Sequence, residues 1–193
     1  KKKKNFCLKV LHLDSGIFID QSFSRQLTRD ILSQLKNNQE TTVVYRDLVA
    51  NPVDHLTAEE LLAEDKPLIN ELVQELFDAD TIIIGAPMYN FTIPTQLKAW
   101  IDRVLQAGVT FKYTEQGPQG LVKDKKVYIA SGRGGIYSEG DMQALDHQES
   151  YLKQALSFIG ITDVTVVRAE GMNMGDEPRQ QGFEQASKEI AAI

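Results

Sequence analysis

The sequence is short of cysteine, of positive charge and of long apolar runs, and each shortage removes a class of protein. The lone cysteine, Cys7, leaves no intramolecular disulfide to form. It sits among Phe6, Leu8 and Val10 as a buried packing residue would, and a reducing, cytoplasmic setting is expected. Lys and Arg total 21 against 27 Asp and Glu, a net charge of -6. That balance argues against nucleic acid as a partner, because binding phosphates needs a basic surplus clustered on one face. The only basic run, Lys1 to Lys4, reads as a solvated leader to a first strand. No stretch of about 18 consecutive apolar residues is available to span a membrane, so a soluble protein is expected. No apolar h-region precedes a small-residue cleavage site, and the start at Lys1 reads as a processed N-terminus rather than a secretory signal. His12, His55 and His147 lie far apart without metal-ligand spacing, so no metal is expected. Neither a repeat nor a Pro/Gly/Ser-rich linker divides the 193 residues, which read as one domain over 1–193.

What is present is alternation. β-rich runs occur at Cys7 to Leu13, Thr42 to Tyr45, Thr81 to Gly85, Lys126 to Ala130 and Asp163 to Val167. Thr81-Ile82-Ile83-Ile84-Gly85 and Val164-Thr165-Val166-Val167 are apolar or β-branched without a polar face, as in strands covered on both sides. Between the runs, Leu27, Ile31 and Leu35 have helical spacing, as do Ile69, Leu72, Val73, Leu76 and Phe77, and Leu97, Trp100, Ile101, Val104 and Leu105. Two more helices are expected, at Ser150 to Ile159 and from Pro178 onward. This order predicts a doubly wound α/β sandwich, a five-stranded parallel sheet with helices on both faces. Ligands of such sheets bind beyond the carboxyl ends of the strands.

Three loops follow those ends. The first, Asp14 to Ser24, brings Ser15, Ser22, Phe23, Ser24 and Gly16 to a helix start, whose unpaired N–H groups suit a phosphate; it is equally an ordinary capped turn with Ser22 or Ser24 as N-cap. Neither Gly-Lys-Ser/Thr nor Gly-x-Gly-x-x-Gly occurs there. The second loop, with Pro87, Met88, Tyr89, Asn90 and Phe91, offers a wall for a flat ring and an amide for its polar edge, or packs beneath the next helix. The third, Ser131-Gly132-Arg133-Gly134-Gly135 with Tyr137 beyond, lets a backbone approach a ligand closely with donors for developing negative charge, or is a flexible turn with a solvated Arg. Together they fit a mononucleotide with a planar head group, which flavin mononucleotide (FMN) satisfies. Val109 to Thr114, then Gly117-Pro118 and Gly120, reads as a hairpin-like excursion carrying Phe111 and Tyr113. Tyr137 to Ser150 reads as either a mobile lid or a surface loop.

The residues Ala86-Pro87-Met88-Tyr89-Asn90-Phe91, Gln96-Leu97-Lys98, Ala107 to Thr114, Gly117-Pro118, Arg133-Gly134-Gly135 and Phe158-Ile159-Gly160-Ile161-Thr162 resemble the FMN-dependent NADH-azoreductase family of flavodoxin-like NAD(P)H:quinone oxidoreductases. The resemblance implies a flavodoxin-like sheet in the order 2-1-3-4-5. It implies bound FMN, with Ser15 and Ser22-Phe23-Ser24 at the phosphate and ribityl chain, Met88 to Phe91 along the ring, and Gly132 to Gly135 at the other polar edge. Tyr137 stands where some relatives have His, with a hydroxyl able to donate to the flavin. NADH or NADPH is the implied donor, and quinones or azo compounds the acceptors, reduced in ping-pong order with no catalytic side chain because the cofactor carries the chemistry. Homodimers with a shared pocket are implied too, with Phe111, Tyr113 and Phe158 as substrate contacts. A non-catalytic flavodoxin-type carrier and a flavin-free domain on the same fold are the other readings.

Overall fold

The computed structural model describes residues 6–64 and 70–193. Lys1 to Lys4, and Ile69 at the head of one expected helix, lie outside them. Parallel strands β1 (Leu8–Asp14), β2 (Thr41–Asp47), β3 (Thr81–Gly85), β6 (Lys126–Gly132) and β7 (Asp163–Ala169) form one sheet in the order β2-β1-β3-β6-β7. The strands β4 (Phe111–Thr114) and β5 (Gly117–Gly120) make a separate antiparallel hairpin. Counting only the sheet's own strands, the order is the 2-1-3-4-5 implied by the resemblance. The first strand starts one residue later than expected, leaving Cys7 half-buried ahead of it. The fourth continues through Ser131 and Gly132, because both pair with β7, opposite Arg168 and Ala169.

The strand β3 is buried along its whole length. Ile83 joins the core formed with α1 (Phe23–Asn38) and α6 (Asp176–Ala191), while Ile82 and Ile84 join the opposite core. That second core takes Val73 and Leu76 from α3 (Glu71–Asp78), Leu97 and Trp100 from α4 (Thr95–Val104), and Leu152 and Leu156 from α5 (Glu149–Phe158). Each such aliphatic side chain contributes about 1.5–3 kcal/mol on full burial, which is why a run of isoleucines fixes the middle of the sheet. A short α2 (Ala58–Leu62) and a 3₁₀ turn (Gly140–Leu145) bury nothing. No helix of the described residues is long and apolar enough to cross a membrane, and among those residues no cluster of His, Cys, Asp and Glu is placed to hold a metal ion.

The hairpin is seated on the turn after α5. A Cβ at Gly120 would overlap the backbone of Ile159 and Gly160, and Val122 N donates to the Ile159 carbonyl at 2.9 Å. The turn itself needs a glycine, since Gly160 has φ +106°.

Candidate functional site

Four loops at the carboxyl ends of the strands enclose a cleft of about 270 Å³. The loop after β1 contributes Phe18, Gln21 and the Ser22-Phe23-Ser24 run; the loop after β3 contributes Pro87, Met88 and Tyr89. The end of β6 contributes Gly132, Arg133 and Gly134, and the loop after β7 contributes Met172 and Asn173. A larger depression of about 640 Å³ is lined only by α6 side chains; two of them, Phe183 and Arg179, pack on Phe23 at the edge of the cleft.

One end of the cleft is built of hydroxyls and amides. Ser22 caps α1, its Oγ accepting from Arg25 N at 3.3 Å, and Ser22 Oγ lies 2.9 Å from Ser24 Oγ. The first-turn N–H groups of Phe23 and Ser24 have no partner inside the helix, as the start of any helix requires. Beneath this end Arg25 is buried against Asp47, with Nη1 and Nη2 on its two oxygens at 2.9 and 2.8 Å. Asp14 accepts from Thr28 Oγ1 and from the Tyr45 hydroxyl, both at 2.8 Å, with His12 Nε2 3.3 Å away. Burial, with the Asp14 carboxylate beside it, pushes the Tyr45 phenol up to about 12.

Hydrogen bonds from Arg25 hold the Asp47 carboxyl at about 2, against an ordinary 3.8, although burial pulls the other way. A depressed pKa means that the folded state holds this proton less tightly than the unfolded chain. The associated stability is therefore present above the ordinary pKa and is lost as pH falls through about 2. The shift corresponds to about 2 kcal/mol at neutral pH. Asp47→Asn should cost about that much near neutrality, and its deficit against the parent should shrink between about pH 4 and 2. Denaturant midpoints across that range provide the measurement; a deficit that stays constant would remove the ionised Asp47–Arg25 pair from the stability of this loop.

The wall after β3 is held in a strained turn. Tyr89 and Thr92 exchange backbone hydrogen bonds at 2.9 and 3.2 Å, which places Asn90 at φ 47° and Phe91 at φ 73°. Asparagine tolerates the left-handed region; phenylalanine does so at a cost on the order of 1–3 kcal/mol, and such residues concentrate at ligand sites. Met88 N donates to the Gly132 carbonyl at 2.9 Å, and the Tyr89 hydroxyl accepts from Ile17 N at 3.0 Å, so this loop is tied to both neighbours. Burial pushes the Tyr89 phenol up. Phe91 projects outward and meets the Tyr137 ring edge-on at 6.4 Å.

The glycine loop extends the ladder between β6 and β7 beyond the strands. Arg133 N donates to Ala169 O at 2.9 Å, and Met172, Asn173 and Gly171 donate to the carbonyls of Arg133, Gly134 and Gly135, each at 3.0 Å. The amides of Gly134 and Gly135 have no partner among the described residues and remain as donors. The Arg133 guanidinium is fully buried, 2.8 Å from both Asp146 and Glu149 and 3.9 Å from Glu170. Its Nε donates to Ser131 Oγ at 3.0 Å, and Ser131 Oγ donates to Gln148 Oε1 at 2.6 Å. The Asp146 carboxyl is held below its usual range: burial would raise it, but N–H groups of Gln148 and Glu149 and the Arg133 charge outweigh that.

A family model for the flavodoxin-like fold matches residues 8–193. A relative from Idiomarina loihiensis named FMN-dependent NADH:quinone oxidoreductase 1 is 77% identical over 186 residues, covering 96% of this chain and 100% of the relative. The chain belongs to the azoreductase branch of the flavodoxin-like family. Another member of the branch, from Sinorhizobium fredii and named FMN-dependent NADH:quinone oxidoreductase, is 49% identical, covering 95% of this chain and 96% of its own. Among solved structures, an azoreductase from Bacillus anthracis matches with a TM-score of 0.84 at 28% identity, covering 96% of this chain and all of that one. An FMN-dependent NADH-azoreductase from the same organism, solved in complex with FMN, matches with a TM-score of 0.81 at 27% identity, covering 96% of this chain and 98% of that one.

In this azoreductase-branch chain the cleft gathers Ser22, Phe23, Ser24, Pro87, Met88, Tyr89, Gly132, Arg133 and Gly134 from the residues read out of the sequence. Asn90, Phe91, Gly135 and Tyr137 stand outside its lining. Ser15 is buried and donates to the Gly85 carbonyl at 2.5 Å, and the Ser131 hydroxyl and the Arg133 guanidinium are drawn into the carboxylate network, so Arg133 is neither solvated nor free. Phe111 is buried against Phe158, ring centroids 4.6 Å apart, and Tyr113 stands exposed on the hairpin at 5.6 Å from Phe111; none of the three lines the cleft. The stretch from Tyr137 to Ser150 is pinned at both ends. Tyr137 N and Ser138 N donate to Glu170 Oε2 at 2.6 and 3.1 Å, and His147 N donates to Phe91 O at 3.0 Å. Sequence reasoning missed Phe18, Gln21, Met172 and Asn173. The last two follow the fifth strand at the same sheet edge, so the strand-end rule that picks out the other loops points to them as well.

Proposed function

We propose that the protein is an FMN-dependent NADH:quinone oxidoreductase that also reduces aromatic azo compounds, with one FMN-binding domain spanning residues 1–193. The observation that carries this reading is the cleft itself: hydroxyls and helix amides at one end, Met88 and Tyr89 along a wall, and unpartnered glycine amides at the other end. The names of the relatives at 77% and 49% identity support it. The residues fit the group. A Cβ at Gly132 would lie 3.2 Å from Phe23 Cβ and 3.3 Å from Ser24 N, closing the floor, and one at Gly134 would lie 2.6 Å from Asn173 Nδ2.

In this reading Ser22 and Ser24, with the α1 amides and the loop that Ser15 anchors, hold the phosphate and ribityl chain. Met88, Tyr89, Asn90 and Phe91 flank the ring, and Gly132 to Gly135 with Tyr137 meet its polar edge. The redox chemistry, a hydride in from the nicotinamide and two electrons out to the acceptor in ping-pong order, is supplied by the FMN when bound. The chain contributes position and electrostatics. Gly134 and Gly135 present fixed N–H donors where negative charge develops, and one such donor in a dry site is worth about 2.7–4 kcal/mol. Phe18, Met88 and Met172 keep water out. Ile17, Phe18, Ile19, Phe91 and Tyr113 are exposed apolar residues, and we propose that a second copy covers them in a homodimer, bringing Phe111, Tyr113 and Phe158 near the shared pocket. A cytoplasmic location accords with the free thiol of Cys7.

Anaerobic stopped-flow absorbance tests the reaction. NADH added to FMN-loaded protein should bleach the visible flavin band, NADPH serving as the comparison, and a quinone or azo dye should restore it. Flavin bound but bleached by neither nucleotide would make the protein an electron carrier; no flavin bound would remove the reading altogether.

A further inference from the structure

Every donor of one buried arginine is used inside the protein. Arg25 sits in the first turn of α1 and is 4% exposed. Its Nε and Nη2 donate to the Gly16 carbonyl at 3.2 and 2.9 Å. Nη1 and Nη2 also form the fork on Asp47, and Nη1 donates to the Tyr45 hydroxyl at 3.4 Å. A guanidinium has five N–H donors, and these contacts occupy them all. Asp47 and, at 3.9 Å, Asp14 surround its single charge. Arg25 is thus no direct ligand for an anion, although its backbone N–H bonds the Ser22 hydroxyl at the hydroxyl end of the cleft.

Its influence passes through Gly16. The Gly16 backbone lies so close to Ser22 that a Cβ on it would overlap Ser22 Oγ, and Ser24 Oγ is 3.2 Å from the same point. Where the Gly16 peptide sits therefore decides where the two hydroxyls point. Asp47, at the end of β2, is itself fixed by N–H groups of Val49 and Ala50 at 3.0 and 3.1 Å. A rigid relay runs from the sheet edge through Asp47 and Arg25 to Gly16 and the Ser22–Ser24 pair.

We infer that Arg25 is a positioning residue for the phosphate of the flavin: by holding the Gly16 carbonyl it fixes the hydroxyl and amide cradle, and so lets the protein select FMN over a flavin without a phosphate. The inference rests on the FMN reading above. Lysine cannot stand in, because a point charge does not bridge a carbonyl and a carboxylate as a planar fork does.

Fluorescence titration of the flavin-free protein with FMN and with riboflavin tests it, using the parent, Arg25→Lys and Asp47→Asn. The parent should prefer FMN. Arg25→Lys should weaken FMN roughly 10- to 100-fold, the scale of a lost buried hydrogen bond to a charged group, and leave riboflavin within about twofold. Asp47→Asn, which keeps Arg25 but removes its ionic anchor, should show a smaller loss in the same sense, and it carries the test if the lysine variant does not fold. Equal losses for both flavins, or a variant that retains the parent's preference for FMN, overturn the role of Arg25 alone. A parent that binds neither flavin overturns the FMN reading and this inference with it.

Discussion

Arg133→Met should destabilise the fold by about 3–5 kcal/mol, the scale expected when one member of a buried ion cluster is removed and its partners stay behind. The guanidinium has no solvent exposure, and the side chains of Asp146 and Glu149 are themselves only 13% and 12% exposed. Glu149 retains Arg168, which pairs with both of its oxygens, so the cost falls chiefly on Asp146. Its carboxyl loses the positive charge that helps to hold it down, and the deficit should therefore narrow as acid protonates it. Urea unfolding measures this as a lower midpoint at unchanged slope. A loss below about 1 kcal/mol would mean that packing around the methionine compensates for the network, as buried ion clusters sometimes allow.

The second large effect concerns the ligand and leaves the fold alone. Gly134→Val places a branched side chain where a Cβ already meets Asn173 Nδ2, and Gly134 does not have the left-handed backbone that would make valine strained in its own right. The amide end of Asn173 can swing away, so the protein should fold. The displaced amide and the valine methyls then enter the cleft that Gly134 and Asn173 both line. FMN affinity should fall by about 100-fold or more, while the thermal midpoint stays within a few degrees of the parent. Full occupancy in the variant would show that the flavin does not approach this peptide.

The architecture was legible because it is written in short-range patterns. The β3 isoleucine run and the spacing of Leu97, Trp100, Ile101 and Val104 each name an element without reference to anything distant. The site was legible to the extent that it follows from strand ends, which is why three of the four loops were found. Side-chain destinations were not. Arg133 between glycines reads as solvated or as an anion donor, and what decides otherwise is Asp146, Glu149 and Glu170, which arrive from two later segments, the start of α5 and the loop after β7. Arg25 reads as one more polar residue in a helix until β2 brings Asp47 beside it. Phe111 is a further case: its place on a hairpin does not reveal that its ring packs into the core against Phe158.

The hydroxyl end of the cleft has a consequence for ionic strength. Of the residues lining the cleft, only Arg133 carries a charge, and that charge is neutralised by carboxylates on the far side; Arg25 beneath it is likewise paired. In the proposed reading, attraction for an anion there would come from dipoles at contact distance, which mobile ions cannot interpose themselves between, rather than from a long-range field that they would screen. On an acidic protein of net charge -6, added salt would instead shield an approaching anion from repulsion, so under the proposed FMN reading the hold on the phosphate would be a property of the cleft's shape, largely indifferent to the brine around it.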